Sequence, residues 1–297
     1  MYETHFGLRE PPFGLTPDTS FFFACSTYQE ALNTLLVAAR SGEGFIKVTG
    51  EVGTGKTLLA RKFLASLGSQ FVTAYIPNPY LDPDALLQAL ADEFRVQRAA
   101  DLTQNRLLRE LTLKLLEHAR AGKRVLVCLD EAQAMPLKTL EALRLLTNLE
   151  TEKRKLVQVV LFGQPELDEH LQDRSVRQLR QRITFQYQLK GLGPEETHLY
   201  LHHRLRVAGH RGGRVFTAFA VRLLYWLSGG VPRLINILAH KSMMLAYGEG
   251  TRLVGARHVY RSALDTPAAA RGLLRRTWPV ATGVLLSIGG LTWVLFR

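Results

Sequence analysis

The chain has 297 residues, is 46% hydrophobic, and carries a formal net charge of +12 with a pI near 10.0. That composition is globular, with ample chain for a buried core in one large or two modest domains, and its basic surplus points to acidic partners: nucleic acid, anionic lipid or a phosphate site rich in arginine. Two cysteines, Cys25 and Cys128, are too few for a disulfide framework, and Met1-Tyr2-Glu3-Thr4-His5 has neither the basic nor the apolar region of a signal peptide.

Residues 1–43 are expected to form the N-terminal segment of the first domain, turn-rich from Pro11 to Asp18 and helical from about Ser26 to Ala39. Phe45 to Thr49 reads as a strand and Leu58 to Leu64 as a helix, with a glycine-rich loop between them. Phe71 to Ile76 is a second strand, and Asp82-Pro83 supplies an N-cap and first-turn proline for a helix reaching Phe94. The leucines of Gln104 to Ala121 fall at helical spacing. Val125 to Leu129 is an unbroken apolar run of the kind buried on both faces in parallel sheets, and a helix from Leu137 to Leu149 leads to another apolar strand, Leu156 to Phe162. Ile183 to Leu189 alternates strictly and reads as a fifth strand. Strands alternating with helices predict an α/β domain over 44–190, a parallel five-stranded sheet wrapped by helices.

After Gly191 the pattern is helical only, with helices expected at Glu195–Val207, Thr217–Leu227, Pro232–Tyr247 and Ala256–Leu264. This predicts a small all-α domain over 191–266, followed by a linker over 267–277. Residues 278–296, Trp278 to Phe296, are nineteen residues without a formal charge, preceded by Arg271, Arg275 and Arg276. As a helix they would reach about 28 Å, so a C-terminal transmembrane helix is expected, with the larger N-terminal part on the cytoplasmic side of a membrane.

The loop Gly50-Glu51-Val52-Gly53-Thr54-Gly55-Lys56-Thr57, with Leu58 opening the helix, fits G-x-x-x-x-G-K-[ST]. Its glycines let successive N–H groups face phosphate oxygens, Lys56 reaches the terminal phosphates, and the Thr57 hydroxyl ligates Mg²⁺. Asp130 and Glu131 follow an apolar strand. A carboxylate there suits Mg²⁺, the role expected of Asp130, and Glu131 is placed to act as general base on the attacking water.

Together these motifs resemble the AAA+ ATPases, and the finer text resembles the ExeA/GspA-type secretion ATPases, nearest the MshM-like subgroup of mannose-sensitive haemagglutinin (MSHA) pilus biogenesis. The resemblance is carried by Phe6-Gly7-Leu8, Pro12-Phe13, Gly42 through Thr57, Leu129-Asp130-Glu131-Ala132-Gln133, Leu143 through Glu150, Gly163-Gln164-Pro165-Glu166-Leu167, Gln181-Arg182-Ile183 and Gly229 through Asn236. It implies Mg²⁺-dependent hydrolysis of ATP and a helical lid domain. Gln164 would be a sensor near the γ-phosphate, and Arg182 would be an arginine finger acting on a neighbouring subunit of a ring or dimer, with Arg177 and Arg180 as rivals. Arg233 would be a second sensor on the lid, and Asn78 is a candidate to orient Glu131. The family implies the bacterial inner membrane and partners among type IV pilus or type II secretion envelope proteins. ExeA-like proteins carry a periplasmic peptidoglycan-binding domain after their span; only Arg297 follows here, so that task is expected to fall to a partner. The alternative is a DNA-binding ATPase or switch of the transposition or replication-initiation kind, for which +12 would serve phosphate contacts.

Overall fold

The computed structural model describes residues 2–42, 44–96, 104–151 and 154–270. They divide into two units: a core from Pro17 to Lys190, and a helical unit made of the first sixteen residues and the chain from Gly191 onward.

The core is built on five strands, β1 (Phe45–Gly50), β2 (Phe71–Ile76), β3 (Arg124–Leu129), β4 (Val157–Gly163) and β5 (Ile183–Leu189), in the spatial order β2-β3-β4-β1-β5. All neighbours run parallel, with Val160 of β4 opposite both Ile46 and Cys128. The two apolar runs are the inner strands β3 and β4, where every residue of β4 is buried; alternation survives only on the edge strand β5. One sheet face is covered by α3 (Pro83–Glu93), α4 (Gln104–Arg120) and α5 (Leu137–Leu146), which join Leu86, Leu90, Leu111, Leu115, Leu140 and Leu143 to Phe45, Val127 and Leu161. Because side chains alternate along β1, Ile46 and Val48 face the other way, the side of α1 (Ser26–Ser41) and α2 (Lys56–Ser66). Asp82 caps α3 by accepting from Ala85 N at 2.8 Å, with Pro83 in the first turn, as the sequence predicts.

Three features of the core differ from expectation. The helix predicted to Leu149 ends at Leu146, and Glu150–Thr151 then pairs antiparallel with Arg154–Lys155. Two five-residue helices, α6 (Glu166–His170) and α7 (Arg177–Gln181), lie between β4 and β5. Each is too short to display an apolar period.

The helical unit contains α8 (Pro194–Val207), α9 (Ala218–Ser228), α10 (Pro232–Gly248) and α11 (Ala256–Leu264), close to the predicted spans. Residues 1–43 are not a single segment of the core. The first sixteen belong to the helical unit because that unit's side chains and carbonyls satisfy their irregular backbone. Arg9 N donates to Ala208 O at 2.8 Å, and the His210 ring meets Phe6 O at 2.7 Å. Buried Arg204 donates to Pro12 O at 2.5 Å and Gly14 O at 3.2 Å, and Asn236 donates to Gly14 O at 3.2 Å. Tyr2, Phe6, Leu8 and Phe13 are buried here as well. The expected span 278–296 and most of the expected linker lie outside the described residues, among which no helix is long and apolar enough to cross a membrane.

Arg204→Met keeps the apolar stem but leaves the Pro12 and Gly14 carbonyls without their charged donor. Urea denaturation of this variant should show a loss of about 2–3 kcal/mol, whereas Arg206→Met, on the exposed side of the same helix, should stay within about 0.5 kcal/mol. Equal stability of the two variants would contradict this account of the N-terminal segment.

Candidate functional site

The glycine-rich loop leaves the C-terminal end of β1 and enters α2 at Lys56. Gly55 caps that helix at φ +90°, and a Cβ there would stand 2.4 Å from the Tyr28 hydroxyl; a Cβ on Gly50 would stand 2.7 Å from Leu189 O. Both positions therefore demand glycine. The loop is tied internally by Thr54, whose amide and hydroxyl donate to Glu51 O at 3.2 and 2.8 Å, and Tyr28 Oη donates to Thr54 O. The Lys56 ammonium curls back on the loop, donating to Gly50 O at 2.7 Å and Glu51 O at 3.0 Å, in a residue only 5% exposed. Burial lowers its pKa, opposed by the charges of Glu131, Asp130, Glu51 and Glu166. With no carbonyl of a preceding helical turn to meet them, the first amides of α2 make its N-terminus a place for an anion.

Asp130 and Glu131 stand at the C-terminal end of β3, and Asp130 N donates to Ile76 O at 3.0 Å, which ties that end to β2. Asp130 is 2% exposed, and its carboxylate accepts from Glu131 N at 3.0 Å and Tyr75 Oη at 3.2 Å. Burial raises its pKa despite those bonds, and burial together with Asp130 pushes the Tyr75 phenol up to about 12. Glu131 lies in the left-handed region at φ 53°, ψ 38°. Its Oε2 accepts from Gln133 Nε2 at 2.6 Å and Gln164 Nε2 at 3.0 Å, while Gln164 N donates to Gln133 Oε1 at 3.0 Å. Burial alone would raise the Glu131 carboxyl, but the two glutamine bonds and the Lys56 charge outweigh it and leave it below the usual carboxylate range.

Lys56, Thr57, Asp130, Glu131 and Gln164 are thus gathered at one edge of the sheet in the core unit. The arginines are not part of that cluster. Arg182 is half-buried at the end of α7 and donates through Nη1 to Thr147 Oγ1 at 3.2 Å and Arg144 O at 3.4 Å, whereas Arg177 and Arg180 are exposed. Arg233 is exposed in the first turn of α10, in the helical unit. Asn78 does not hold Glu131: its Oδ1 accepts from Tyr80 N at 3.3 Å in a local turn, and the two glutamines take the carboxylate instead. Tyr28, Tyr75 and Gln133 contribute contacts that the sequence reading did not assign. Only Gln133 had a signal, its place two residues after Glu131.

Residues 39–171 match the family described as AAA domain. The chain is 42% identical over 254 residues to general secretion pathway protein A of Aeromonas hydrophila, a match covering 86% of this chain and 46% of that protein. The chain therefore spans about half the length of that curated relative. Cdc6p from Pyrobaculum aerophilum superposes with a TM-score of 0.65 at 18% identity, over 84% of this chain and 71% of that one. The Walker-type ATPase of Pyrococcus abyssi gives 0.58 at 16% identity over 91% and 80%, and the Thermotoga maritima RuvB branch migration motor gives 0.54 at 16% over 81% and 69%. At such identities these structures show the fold alone, that of the P-loop NTPases. The relative in the secretion pathway, the AAA domain match and the loop with its acidic pair agree: the chain belongs to the AAA+ ATPases of the general secretion pathway protein A (ExeA/GspA) type.

Proposed function

We propose that this chain hydrolyses ATP to ADP and phosphate in the service of a type II secretion or MSHA-like type IV pilus machine, held at a bacterial inner membrane by residues 278–296. The observation that carries the reading is the meeting of Lys56, Asp130, Glu131 and Gln164 beside the glycine loop, in a chain 42% identical to general secretion pathway protein A. In this reading the loop amides and those of Lys56, Thr57 and Leu58 bind the phosphates. Lys56 turns from its two carbonyls toward the charge that develops on the transferred group. Glu131 accepts a proton from the attacking water, and Gln164 orients that water against the γ-phosphate. The Asp130 carboxylate and the Thr57 hydroxyl are the hard oxygen donors that suit Mg²⁺, which supplies charge neutralisation at the phosphates when bound.

Among the arginines, Arg182 is the proposed cation for a neighbouring subunit's site. Its two present bonds are long and to neutral groups, so releasing them costs on the order of 1 kcal/mol. Exposed Arg177 and Arg180 on the same short helix remain its rivals. Arg233 is proposed as the lid's contact with bound nucleotide. A subunit that needs another's arginine has to assemble as a ring or dimer. A DNA-directed ATPase is the second reading, favoured by the net charge of +12.

Glu131→Gln should bind ATP within a few-fold of the parent but hydrolyse it about 100-fold or more slowly; unchanged turnover would remove the base assignment. Mixing Glu131→Gln with Arg182→Ala should restore part of the activity that each lacks alone, because the mixed site pairs an intact glutamate with an intact arginine. If the Arg177→Ala or Arg180→Ala protein, and not Arg182→Ala, is inactive alone and rescued on mixing, the finger moves to that residue. The full chain should stay with membranes through an alkaline carbonate wash, and its release would end the proposed span.

A further inference from the structure

Gln133 has no task in the proposed hydrolysis, yet its hydrogen bond to Glu131, at 2.6 Å, is shorter than that of Gln164, at 3.0 Å. Its amide lies between two partners, with Nε2 donating to Glu131 Oε2 at 2.6 Å and Oε1 accepting from the backbone N–H of Gln164 at 3.0 Å. A backbone N–H can only donate and a carboxylate can only accept, so both contacts demand the same orientation of the amide. The side chain is half-buried against the end of β4, where a Cβ on Gly163 would come within 3.4 Å of Oε1.

Glu131 needs such a hold. Its side chain turns about three bonds, its backbone sits in the left-handed region, and a general base must stand within about 3 Å of the proton it takes. Gln164 bonds the same Oε2 at 3.0 Å, but its amide is the group proposed to turn toward the phosphate and water. Gln133 is anchored instead on the main chain of Gln164, which stays with β4 when that amide turns. Both glutamines address Oε2, so the other carboxylate oxygen is the one left to receive the proton.

Resting on the assignment of Glu131 as base, we infer that Gln133 is a positioning residue for hydrolysis: clamped to the main chain at the end of β4, it holds Glu131 in place while Gln164 turns, and so links the sensor strand to the base. Gln133→Glu keeps the size and the acceptor for Gln164 N–H but loses the donor to Glu131, and Gln133→Met loses both. In the full-length protein each should lower kcat about tenfold or more while changing KM and directly measured ATP affinity less than about twofold. Adding Gln133→Glu to Glu131→Gln should cost no further rate, within about twofold, because the clamp then has no base to hold. Parental kcat in Gln133→Glu, a rise in KM with kcat kept, or an equal loss in both backgrounds would each overturn the inference. An inactive Glu131→Gln beside a fully active Gln133→Glu removes this inference alone, whereas parental turnover in Glu131→Gln removes the base assignment and this inference with it.

Discussion

The Lys56 ammonium has to stay charged where almost no water reaches it, and the rest of the site is arranged around that constraint. Burial lowers its pKa, while two loop carbonyls at 2.7 and 3.0 Å and the charges of Glu131, Asp130, Glu51 and Glu166 favour the charged form. A parallel sheet is well suited to deliver that company, since it brings successive strand ends to one edge. With β4 between β1 and β3, the glycine loop, Gln164 and the acidic pair leave three adjacent strands in the order that lets Gln164 reach Glu131. The same cation lowers the Glu131 carboxyl, so the groups proposed to bind phosphate and to activate water hold each other ionised.

Much of this was legible because it is local. The spacing from Gly50 to Thr57 and an apolar strand ending in Asp130-Glu131 specify their own backbone, and β3 and β4 read as buried parallel strands because Val125 to Leu129 and Val159 to Phe162 are apolar on both faces. The contacts that brace the site were not legible. Tyr28 sits on a helix that reads as core, and Tyr75 is an ordinary strand former by type. Their hydroxyl bonds, to Thr54 O and to the Asp130 carboxylate, depend on register across elements 26 and 55 residues apart. The N-terminal segment was assigned to the core for the same reason, since Phe6 O finds His210 across a separation of 204 residues. Asn78 looked suited to Glu131 by position and type, but a short turn takes its side-chain oxygen, and the glutamate is satisfied from β4 and from its own strand's exit.

The two units divide the proposed labour. The core holds the groups that act on phosphate and water, while the helical unit holds Arg233 and the irregular N-terminal residues secured by Arg204 and Asn236. That unit's polar interior, including the Tyr200–Asn236 bond at 2.9 Å, fixes the base of α10 from which Arg233 emerges. Arg233 is exposed in the first turn of α10, which carries no acidic residue to neutralise it.

All of these roles presuppose that the loop takes a nucleotide triphosphate with Lys56 as its cation. Calorimetric titration of the full-length protein with ATP and Mg²⁺ tests that claim most directly. Saturable binding of one nucleotide per chain, lost in Lys56→Ala while that variant keeps its melting temperature, is the result predicted. Absence of binding heat and of any nucleotide-dependent rise in melting temperature, or affinity unchanged in Lys56→Ala, would contradict the account.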